Sequence, residues 1–392
     1  MAAPIAITFL RDKDHGGRAG QPEAIARKLA GFIEAAATSL DIAIYDFRLS
    51  DARAGGIVTA LKGAAGRGVA VRIGYDAGKP AAGTAADFLA LQADPAPVGT
   101  AVWVTGHFAG TGVQTKAIQA GSHLMHSKYV LRDAGAGTAA VWTGSTNFTD
   151  DAWTLQENNI ITVASQSVAA AYRTDFDAMW AAGSIAHTGA GDSGSTDIHT
   201  SGAHTARVAW DFAPGDGAAI DAALVAAIAA ATNRIVVAAM VLTSHTVLAA
   251  LAAALDRGIP ISGIYDAGQM DPIVKNTWKP NPHDAAVLAD WRTVSARLVP
   301  KHSTPYTPTG PHDFMHNKVL IFDDTVATGS YNFSANAEKN AENQLRITDP
   351  GIAGRYADYI ATIARAYSRH PDPPGGVQSQ HRPHPTITPG GG

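Results

Sequence analysis

The sequence predicts an α/β fold that consists of two similar α-β-α sandwich halves with mixed central sheets, related by pseudo-twofold symmetry. Three observations support this prediction. The chain has 392 residues, of which 46% are hydrophobic, so it can bury a large core and form two structural units. Patterns typical of helices alternate with patterns typical of buried strands. The order of these patterns in the first half is repeated in the second.

Four sequence blocks recur in the same order, which indicates an internal duplication. The copies of the first two blocks share one offset along the chain, and those of the last two share a slightly shorter one. Unrelated segments of similar composition would not keep such constant offsets. The paired blocks are RGVAVRIGYDAG at 67–78 with RGIPISGIYDAG at 257–268, HSKYVLRD at 126–133 with HNKVLIFDD at 316–324, GSTNF at 144–148 with GSYNF at 329–333, and Glu157-Asn158 with Glu342-Asn343.

Each half contains two helix–strand pairs ahead of its H-x-K block. The apolar spacing predicts these elements in the order helix, strand, helix, strand, at 22–37, 40–47, 57–67 and 69–76 in the first half, and at 220–232, 234–242, 246–257 and 259–266 in the second.

The composition of two segments suggests the domain boundaries. Residues 183–206 are rich in Gly, Ser, Thr and His, so we expect a linker there between halves at 1–182 and 207–370. The Pro- and Gly-rich residues 371–392 are expected to form a disordered tail.

The charge and cysteine content exclude some classes of site. The net charge is -4 and the pI about 6.4, so the chain is not a generally basic binder of polyanions, although a local basic groove is compatible with this average. It has no cysteine, which excludes disulfides and thiolate metal sites. No apolar run is long enough to cross a bilayer. The N-terminus lacks a signal-peptide pattern, so the compartment stays unassigned: cytoplasmic, or secreted if a signal peptide was removed.

An H-x-K-x4-D motif occurs twice, each time at the start of an apolar run that is typical of a strand. On a strand, residues two apart project to the same face, so each histidine lies beside its lysine and each aspartate points to the other face. Imidazole and ammonium groups side by side suit a phosphate group, whereas the aspartates are expected to be structural. The motif residues are His126, Lys128 and Asp133 in the first copy, and His316, Lys318 and Asp323 in the second.

A G-S-x-N segment and a glutamate follow each motif. Ser145, Asn147, Ser330 and Asn332 can donate to the oxygens of a phosphorus centre, although Gly-Ser-x-Asn is also a good turn sequence. A carboxylate from Glu157 or Glu342 that accepts from imidazole Nδ1 would orient Nε2, whereas the alternative places both glutamates at solvated strand ends. The two YDAG segments read as strand ends and turns. His123 and His312 precede the motifs, but no metal-ligand spacing accompanies them.

These residues, in this order and repeated, resemble the phospholipase D superfamily over about residues 38–348. The resemblance implies a two-step phosphodiester transfer without metal or cofactor. One histidine forms a covalent phosphohistidine, and the other protonates the leaving alkoxide and then activates water or an alcohol. It further implies His126 as nucleophile and His316 as acid and base, with Lys128 and Lys318 as charge stabilisers, all within a single chain that acts as a monomer. The spacing of the motifs does not distinguish the two histidines, so the reverse assignment is the alternative.

The substrate is less well determined than the chemistry. The loops at 105–125 and 299–315 precede the two motifs and are expected to form the pocket walls, with Phe108, Tyr306 and Phe314 as their aromatic residues. Such loops suit a phospholipid, which the acidic net charge favours. They also suit stacked nucleobases, so an endonuclease-like activity on nucleic acid is the alternative. A non-catalytic binding scaffold is disfavoured because both motifs are intact.

Overall fold

The computed structural model describes residues 3–78, 99–186, 188–201, 204–278, 282–307 and 310–369. Within these ranges the chain forms two large mixed sheets with helices packed on their faces, one sheet in each half, so the predicted fold class is confirmed. The tail predicted at 371–392 lies outside the described residues.

The sheet of the first half has seven strands. Its strands, with the two that form a separate ribbon, are β1 (Ile5–Leu10), β2 (Ser39–Ile44), β3 (Phe47–Arg48), β4 (Ala70–Asp76), β5 (Gln114–Ile118), β6 (Lys128–Arg132), β7 (Ala140–Gly144), β8 (Phe148–Thr149) and β9 (Asn158–Val163). The order across the sheet is β1-β9-β7-β6-β2-β4-β5, while β3 pairs with β8. Within the seven-stranded sheet, β2, β4 and β5 are parallel neighbours and the other pairs are antiparallel; β3 and β8 are parallel.

The sheet of the second half repeats this arrangement with one more strand. Its strands are β10 (Gly194–Ser201), β11 (His204–Ala213), β12 (Ile235–Ala239), β13 (Ile261–Asp266), β14 (Val299–Lys301), β15 (Lys318–Phe322), β16 (Thr325–Gly329) and β17 (Glu342–Thr348). The order is β10-β11-β17-β16-β15-β12-β13-β14, with β12, β13 and β14 parallel. The duplicated sequence therefore folds into duplicated topology.

The segment at 183–206 differs from a simple linker. It contains β10 and the first residues of β11, which form an antiparallel hairpin at the edge of the second sheet. The Gly, Ser and Thr content suggested a linker, but Thr196, Ile198 and Thr200 also alternate at strand spacing, and Ile198 is buried. The expected connection is thus partly a strand of the second half.

The helices include the four predicted from apolar spacing. A short 3-10 turn, Lys13–His15, precedes the first helix, and a π-helical turn, Ile273–Thr277, follows the eighth. The α-helices are α1 (Gln21–Glu34), α2 (Asp51–Gly66), α3 (Thr100–Phe108), α4 (Asp150–Thr154), α5 (Gln166–Ala182), α6 (Gly217–Ala230), α7 (His245–Asp256), α8 (Ala267–Pro272), α9 (Pro282–Ser295) and α10 (Pro350–Arg369).

Both sheets share one central core, which joins the two halves. In β2, Ile42 faces the outer core with α1 and α2, whereas Ala43 faces the central core. The central core contains α5 and α10 and the inner faces of both sheets. Each of these helices reaches the other half: Tyr172 of α5 contacts Phe212 of β11 edge-on at 4.9 Å, and Tyr359 of α10 stacks on Phe9 of β1 at 4.2 Å. Such buried aromatic pairs contribute about 1 kcal/mol each beyond their area.

Candidate active site

Both H-x-K motifs lie at the entrance to a buried strand. Lys128 is the first residue of β6 and Lys318 the first of β15. His126 and His316 are each 4% exposed, and both lysines are still less exposed. Each lysine ammonium donates to the backbone carbonyl of its own histidine at 2.8 Å. The motif therefore holds a buried ammonium close to each histidine.

The His126 imidazole is held by a carboxylate from the second half. Its Nδ1 lies 2.9 Å from both carboxylate oxygens of Glu342, which is fully buried. A carboxylate only accepts hydrogen bonds, so Nδ1 is the donor and Nε2 keeps its lone pair for a reacting group. The amide of Asn340 donates to Glu342 at 3.2 Å and helps to fix it.

The His316 imidazole is held by an amide from the first half. Its Nδ1 lies 2.9 Å from Oδ1 of Asn158, which also accepts from the hydroxyl of Ser145 at 2.7 Å. This arrangement mirrors that of His126 in position, because each histidine is bound by a residue of the opposite half. It differs in charge, because Asn158 is neutral.

The register of β9 explains why Glu157 does not fill this role. In the first half the N–H of Ser145 donates to the carbonyl of Asn159, and in the second the N–H of Ser330 donates to that of Asn343. The Gly before each serine has a positive φ, and an added Cβ would clash with the same carbonyl oxygen. Asn159 is therefore the counterpart of Asn343, one position further along the chain than the sequence repeat implies.

The sequence alignment of Glu157 with Glu342 is therefore wrong, because the two residues do not occupy equivalent positions in the structure. The counterpart of Glu342 is Asn158, and the counterpart of Glu157 is Ala341. The backbone bonds agree, because the N–H of His126 donates to the carbonyl of Ala341 at 2.9 Å and that of His316 to the carbonyl of Glu157 at 3.1 Å. The expectation that Glu157 orients a histidine is overturned by this shift of a single position.

Glu157 instead takes part in a buried charge cluster behind His316. Its carboxylate accepts from Lys301 Nζ at 2.8 Å and from the hydroxyl of Tyr367 at 2.6 Å. Asp12 lies 3.4 Å from the same ammonium. Burial disfavours the ammonium, but the neighbouring carboxylates of Glu157 and Asp12 outweigh it and raise the pKa of Lys301.

The corresponding position behind His126 is apolar. The strand registers align Lys301 of β14 with Ile118 of β5, and Glu157 aligns with Ala341. Ile118 and Ala341 both lie in the central core. The charged pair and the apolar pair thus occupy equivalent places in the two halves.

In both G-S-x-N segments, the serine and the asparagine have different surroundings. The hydroxyls of Ser145 and Ser330 are fully buried and accept from the backbone N–H of Asn159 and Asn343 at 3.0 and 2.9 Å. These serines therefore hold the turn, as the turn interpretation of the sequence expects, and do not face an open site.

Asn147 and Asn332 are available for other contacts. Within the described part of the chain, the buried Oδ1 of each has no hydrogen-bond partner. Buried amide oxygens are normally paired, so these two remain candidates to accept from a ligand, whereas a phosphate oxygen would have to be contacted by the Nδ2 group of each amide.

Asp133 and Asp323 lie at the far ends of the motif strands, where both adopt positive φ angles near 50°. Asp133 accepts from the backbone N–H groups of Ala37, Thr38 and Ser39. Asp323 accepts from those of residues 232–234. These bonds hold the motif strand to the start of its neighbour, which is the structural role expected for the aspartates.

The aspartates of the YDAG segments were not predicted as supporting residues. Asp76 accepts from the N–H of Met125 at 2.7 Å, and Asp266 from that of Met315 at 2.6 Å. Both methionines directly precede the histidines. The repetition of YDAG in both halves was the available signal for this role, which a turn at a strand end did not suggest.

The comparisons with known proteins agree with this geometry. A family model described as cardiolipin synthase, PLD-like domain, matches residues 29–180 and 224–364, one stretch in each half. The chain belongs to the phospholipase D superfamily. Its members act on phosphodiesters. No curated protein sequence matches the chain.

Two of the solved structures compared share the fold of this chain. The phosphatidylserine synthase of Haemophilus influenzae Rd KW20 superposes with a TM-score of 0.58, at 12% identity, over 94% of this chain and 89% of that one. The polyphosphate kinase of Porphyromonas gingivalis gives 0.56, also at 12% identity, over 91% of this chain and 46% of the kinase. Nuc from Salmonella typhimurium, a phospholipase D family member, is 24% identical over 41% of this chain and 95% of that one, with a TM-score of 0.31.

Burial and nearby cations lower the pKa of both motif histidines. Burial lowers the pKa of His126, although Glu342 opposes this effect. Burial, together with Lys318, Lys128 and His126, holds the pKa of His316 well below its ordinary value. Among the described residues, no carboxylate contacts the His316 ring in the way that Glu342 contacts His126.

The predicted pocket loops contribute less aromatic surface than expected. Phe108 is 1% exposed and lies in the outer core of the first half, so it is not a pocket wall. Phe314 is also buried, whereas Tyr306 and His312 are partly exposed and stack at 4.9 Å. Tyr45, which the sequence did not single out, contacts the His126 ring at 4.9 Å and lies beneath the Lys128 ammonium at 5.1 Å.

The described ranges contain neither a membrane-spanning helix nor a metal-binding cluster. No helix among them is both long and apolar enough to span a bilayer. No group of three or more His, Asp or Glu side chains in these ranges is arranged to hold a metal ion.

Proposed function

We propose that this protein is a metal-independent phosphodiesterase of the phospholipase D type that hydrolyses phospholipids through a phosphohistidine. The observation that supports this proposal is the pair of buried imidazoles, each bound at Nδ1 by an acceptor from the opposite half. This contact leaves Nε2 of both rings to act on one phosphorus atom.

The reaction has two steps. Nε2 of His126 attacks phosphorus, the bond from phosphorus to the leaving oxygen breaks, and His316 gives its proton to that oxygen. Neutral His316 then takes a proton from water, whose oxygen attacks phosphorus and releases His126. An alcohol in place of water gives transfer in place of hydrolysis.

Charge on the phosphoryl oxygens is balanced by groups of both halves. Lys128 and Lys318 are buried beside the histidines, where an ammonium acts in a low dielectric. The amides of Asn147 and Asn332 supply further donors, while Ser145 and Ser330 fix the turns that carry them. No step needs a metal ion.

The net charge supports a phospholipid over a nucleic acid as substrate, while a pair of partly exposed rings fits either substrate. The net charge of -4 gives no general attraction to a polyanion, and the loop before the second motif carries the ring pair Tyr306 and His312 at partly exposed positions. The same ring pair supports the alternative, a nuclease that stacks bases on it.

One assay panel separates these substrates. The purified protein, with excess EDTA, is given phosphatidylcholine vesicles, an aryl phosphodiester, and single- and double-stranded DNA. We expect release of the choline head group without nicking of DNA. Nicking without head-group release would replace the phospholipid with nucleic acid, and inhibition by EDTA would contradict the metal-independent mechanism.

Two variants test the catalytic pair. His126→Ala and His316→Ala should each lower turnover of phosphatidylcholine by at least about 10³-fold, since each removes one of two reacting groups. His199→Ala, at an exposed position on β10, is the matched control and should keep full activity. Full activity in either active-site variant would refute the mechanism.

A further inference from the structure

A cavity between α10 and the 3-10 turn after β1 has a basic lining and is separate from the two-histidine site. Its volume is about 440 Å³, and its lining includes Arg11, Arg365 and Arg369, with His15 and a single acidic residue, Asp14. We propose that this arginine cavity is a second anion site, which binds the phosphate group of a small phosphate monoester. The site does not depend on the proposed phosphodiesterase activity.

The helix α10 places two of the arginines on one face. Arg365 and Arg369 are four residues apart, so their side chains lie one helical turn apart on the same side. Both are exposed, and among the described residues neither forms an ion pair with a carboxylate. Like charges at this spacing repel each other, and an anion bound between them would offset that repulsion.

The third arginine, Arg11, is held by the backbone of the 3-10 turn. Its guanidinium donates to the carbonyl of His15 and lies against Gly16, where an added Cβ would be 2.7 Å from the guanidinium carbon. Gly16 has a positive φ of 95°, so a glycine suits this close approach. The Nε of Arg11 is buried and has no hydrogen-bond partner within the described ranges, which makes it a candidate donor to a bound anion.

The arginine cavity is positively charged although the whole chain carries a net charge of -4. Its guanidinium groups are opposed by the carboxylate of Asp14, which already pairs with Lys13 at 2.8 Å. The imidazole of His15 lies near another carboxylate, with Nδ1 at 3.5 Å from Asp12. An excess of positive charge within a single cavity attracts a small anion.

The arrangement of donors suits a phosphate better than a carboxylate. Guanidinium groups donate in fork-shaped pairs, and here they come from two separate segments of the chain. A tetrahedral phosphate accepts from several directions, whereas a carboxylate has two oxygens in one plane. A monoester also carries close to two negative charges at neutral pH. The volume leaves room for a small organic group, beside which Thr362 and Ala366 present a hydroxyl and a methyl group.

The buried cluster behind His316 separates the arginine cavity from the active site. The ring of His15 stacks on that of Tyr367 at 4.1 Å, and the Tyr367 hydroxyl donates to the carboxylate of Glu157. The backbone carbonyl of Glu157 in turn accepts from the N–H of His316. A ligand in the cavity would therefore lie behind this cluster and not against the imidazoles.

Isothermal titration calorimetry with glycerol 3-phosphate tests the arginine cavity. The double variant Arg365→Gln, Arg369→Gln removes both charges of α10 at exposed positions. We expect it to bind at least about tenfold more weakly than the wild type, because each guanidinium supplies charge-assisted hydrogen bonds. Arg355→Gln is the matched control, since Arg355 is exposed on α10 outside the cavity lining, and it should keep the wild-type affinity.

The comparison of these three proteins isolates the cavity. Glycerol 3-phosphate that enters the two-histidine site contributes equally to all of them, so the difference between their isotherms reports the arginine cavity. Equal binding by the wild type and the double variant would overturn the proposal, and so would an equal loss in Arg355→Gln. Acetate that binds as tightly as glycerol 3-phosphate would overturn the assignment of a phosphate group.

The phosphate monoester can come from a soluble ester or from the head group of phosphatidic acid. Sedimentation with phosphatidylcholine vesicles that contain phosphatidic acid separates these sources. His126→Ala serves as the background, so that the vesicles keep their composition. Binding to the vesicles that is lost on Arg365→Gln, Arg369→Gln identifies the lipid, whereas calorimetric binding without sedimentation identifies a soluble ester. Loss of neither in the double variant contradicts the site.

A further variant, Arg11→Gln, tests the arginine that the 3-10 turn holds. It should also weaken binding of glycerol 3-phosphate by at least about tenfold. If this partly buried substitution prevents folding, the double variant at exposed positions still decides. Turnover of phosphodiesters should be unchanged in the double variant, and a protein without any turnover would refute the proposed function while leaving the calorimetric test of the cavity intact.

Discussion

The surroundings of His126 and His316 differ more than the repeated motifs suggest. Behind His126, the backbone partner is Ala341 and the neighbouring side chain is Ile118, both in the apolar central core. Behind His316, the equivalent places hold Glu157 and Lys301, an ion pair at 2.8 Å. The carboxylate of Glu342 thus contacts the imidazole of His126 directly. At His316 the charged side chains are those of Glu157 and Lys301, and Glu157 contacts this histidine only through its backbone carbonyl.

The comparison shows that the two halves keep equivalent backbone positions around each histidine, while the side chains at several of these positions differ. The motif histidines and lysines, the G-S-x-N turns and the aspartates of YDAG are the same in both halves. The residues that set the charge of each imidazole are not. Variants that exchange these residues between halves are therefore the sharpest tests of the comparison.

The largest effect is expected from Glu342→Gln, which gives both histidines an amide partner. We expect kcat to fall by about 10³- to 10⁴-fold, because the carboxylate no longer stabilises the cation on His126. Steady-state kinetics with phosphatidylcholine or another active phosphodiester measure the loss. Glu34→Gln, exposed at the end of α1, is the control. A loss below tenfold would show that Glu342 has no electrostatic role.

The next effect concerns the stability provided by the buried pair. Glu157→Ala and Lys301→Ile should each lower the free energy of unfolding by about 3–5 kcal/mol, because each leaves a buried charge without its partner. The double variant copies the apolar arrangement of the other half and should recover most of this loss. Urea unfolding followed by tryptophan fluorescence measures all three. If the loss of unfolding free energy in the double variant equals the sum of the two single losses, removing both charges does not compensate for removing one.

The reciprocal change in the other half gives a matched test. Ala341→Glu and Ile118→Lys each introduce a buried charge, so both should destabilise by several kcal/mol. The combination should be more stable than the sum of its parts, since the two groups can pair. Because Asp12 and Tyr367 support only the pair behind His316, we expect weaker coupling than between Glu157 and Lys301. If the coupling energy of the introduced pair equals that between Glu157 and Lys301, Asp12 and Tyr367 do not strengthen the native pair.

A smaller effect distinguishes the motif aspartates. Asp133→Asn should cost about 2 kcal/mol, since its carboxylate accepts several charge-assisted bonds. Asp323→Asn should cost less, because Asp323 is more exposed. Chemical denaturation at pH 7 measures both. Equal costs would indicate that burial does not matter at these positions.

The pH dependence of these costs has a definite sign. Burial opposes ionisation, but backbone donors outweigh it and lower the pKa of Asp133 and of Asp323. The stability from each is therefore present above the ordinary aspartate pKa of about 4 and is lost as pH falls through the lowered value. The difference between wild type and either variant should shrink over that acidic range.

Much of the fold was predictable because both signals, apolar periodicity and repetition, are local in the chain. The four helices and the motif strands follow from spacing alone. The edge hairpin at β10 was missed because its Ser and Thr content resembles that of a linker. Phe108 was assigned to a pocket wall because aromatic character in the sequence does not say whether α3 turns a residue to the core or to solvent.

The sequence predicted which motif side chains come together, but it did not predict the residues that hold them. His126 and Lys128, with their second-half copies, are fixed by a motif. The Nδ1 partner of each histidine comes from the other half, far away in the sequence. The strand register of β9 is shifted by one position relative to the sequence repeat. Asn158, and not Glu157, therefore lies at the position that binds the histidine, and this shift is visible only in the structure.

The exchange of backbone bonds between the halves has a consequence for how this site could diversify. The N–H of His126 is bound by the second half and that of His316 by the first, so each half completes the other. Two identical separate subunits in this arrangement would place the same residue beside both histidines, and every substitution would appear twice. When the two copies are joined in one chain, a single mutation can change the partner of one histidine alone. The presence of Glu342 beside His126 and of Asn158 beside His316 is a difference that two identical subunits could not have.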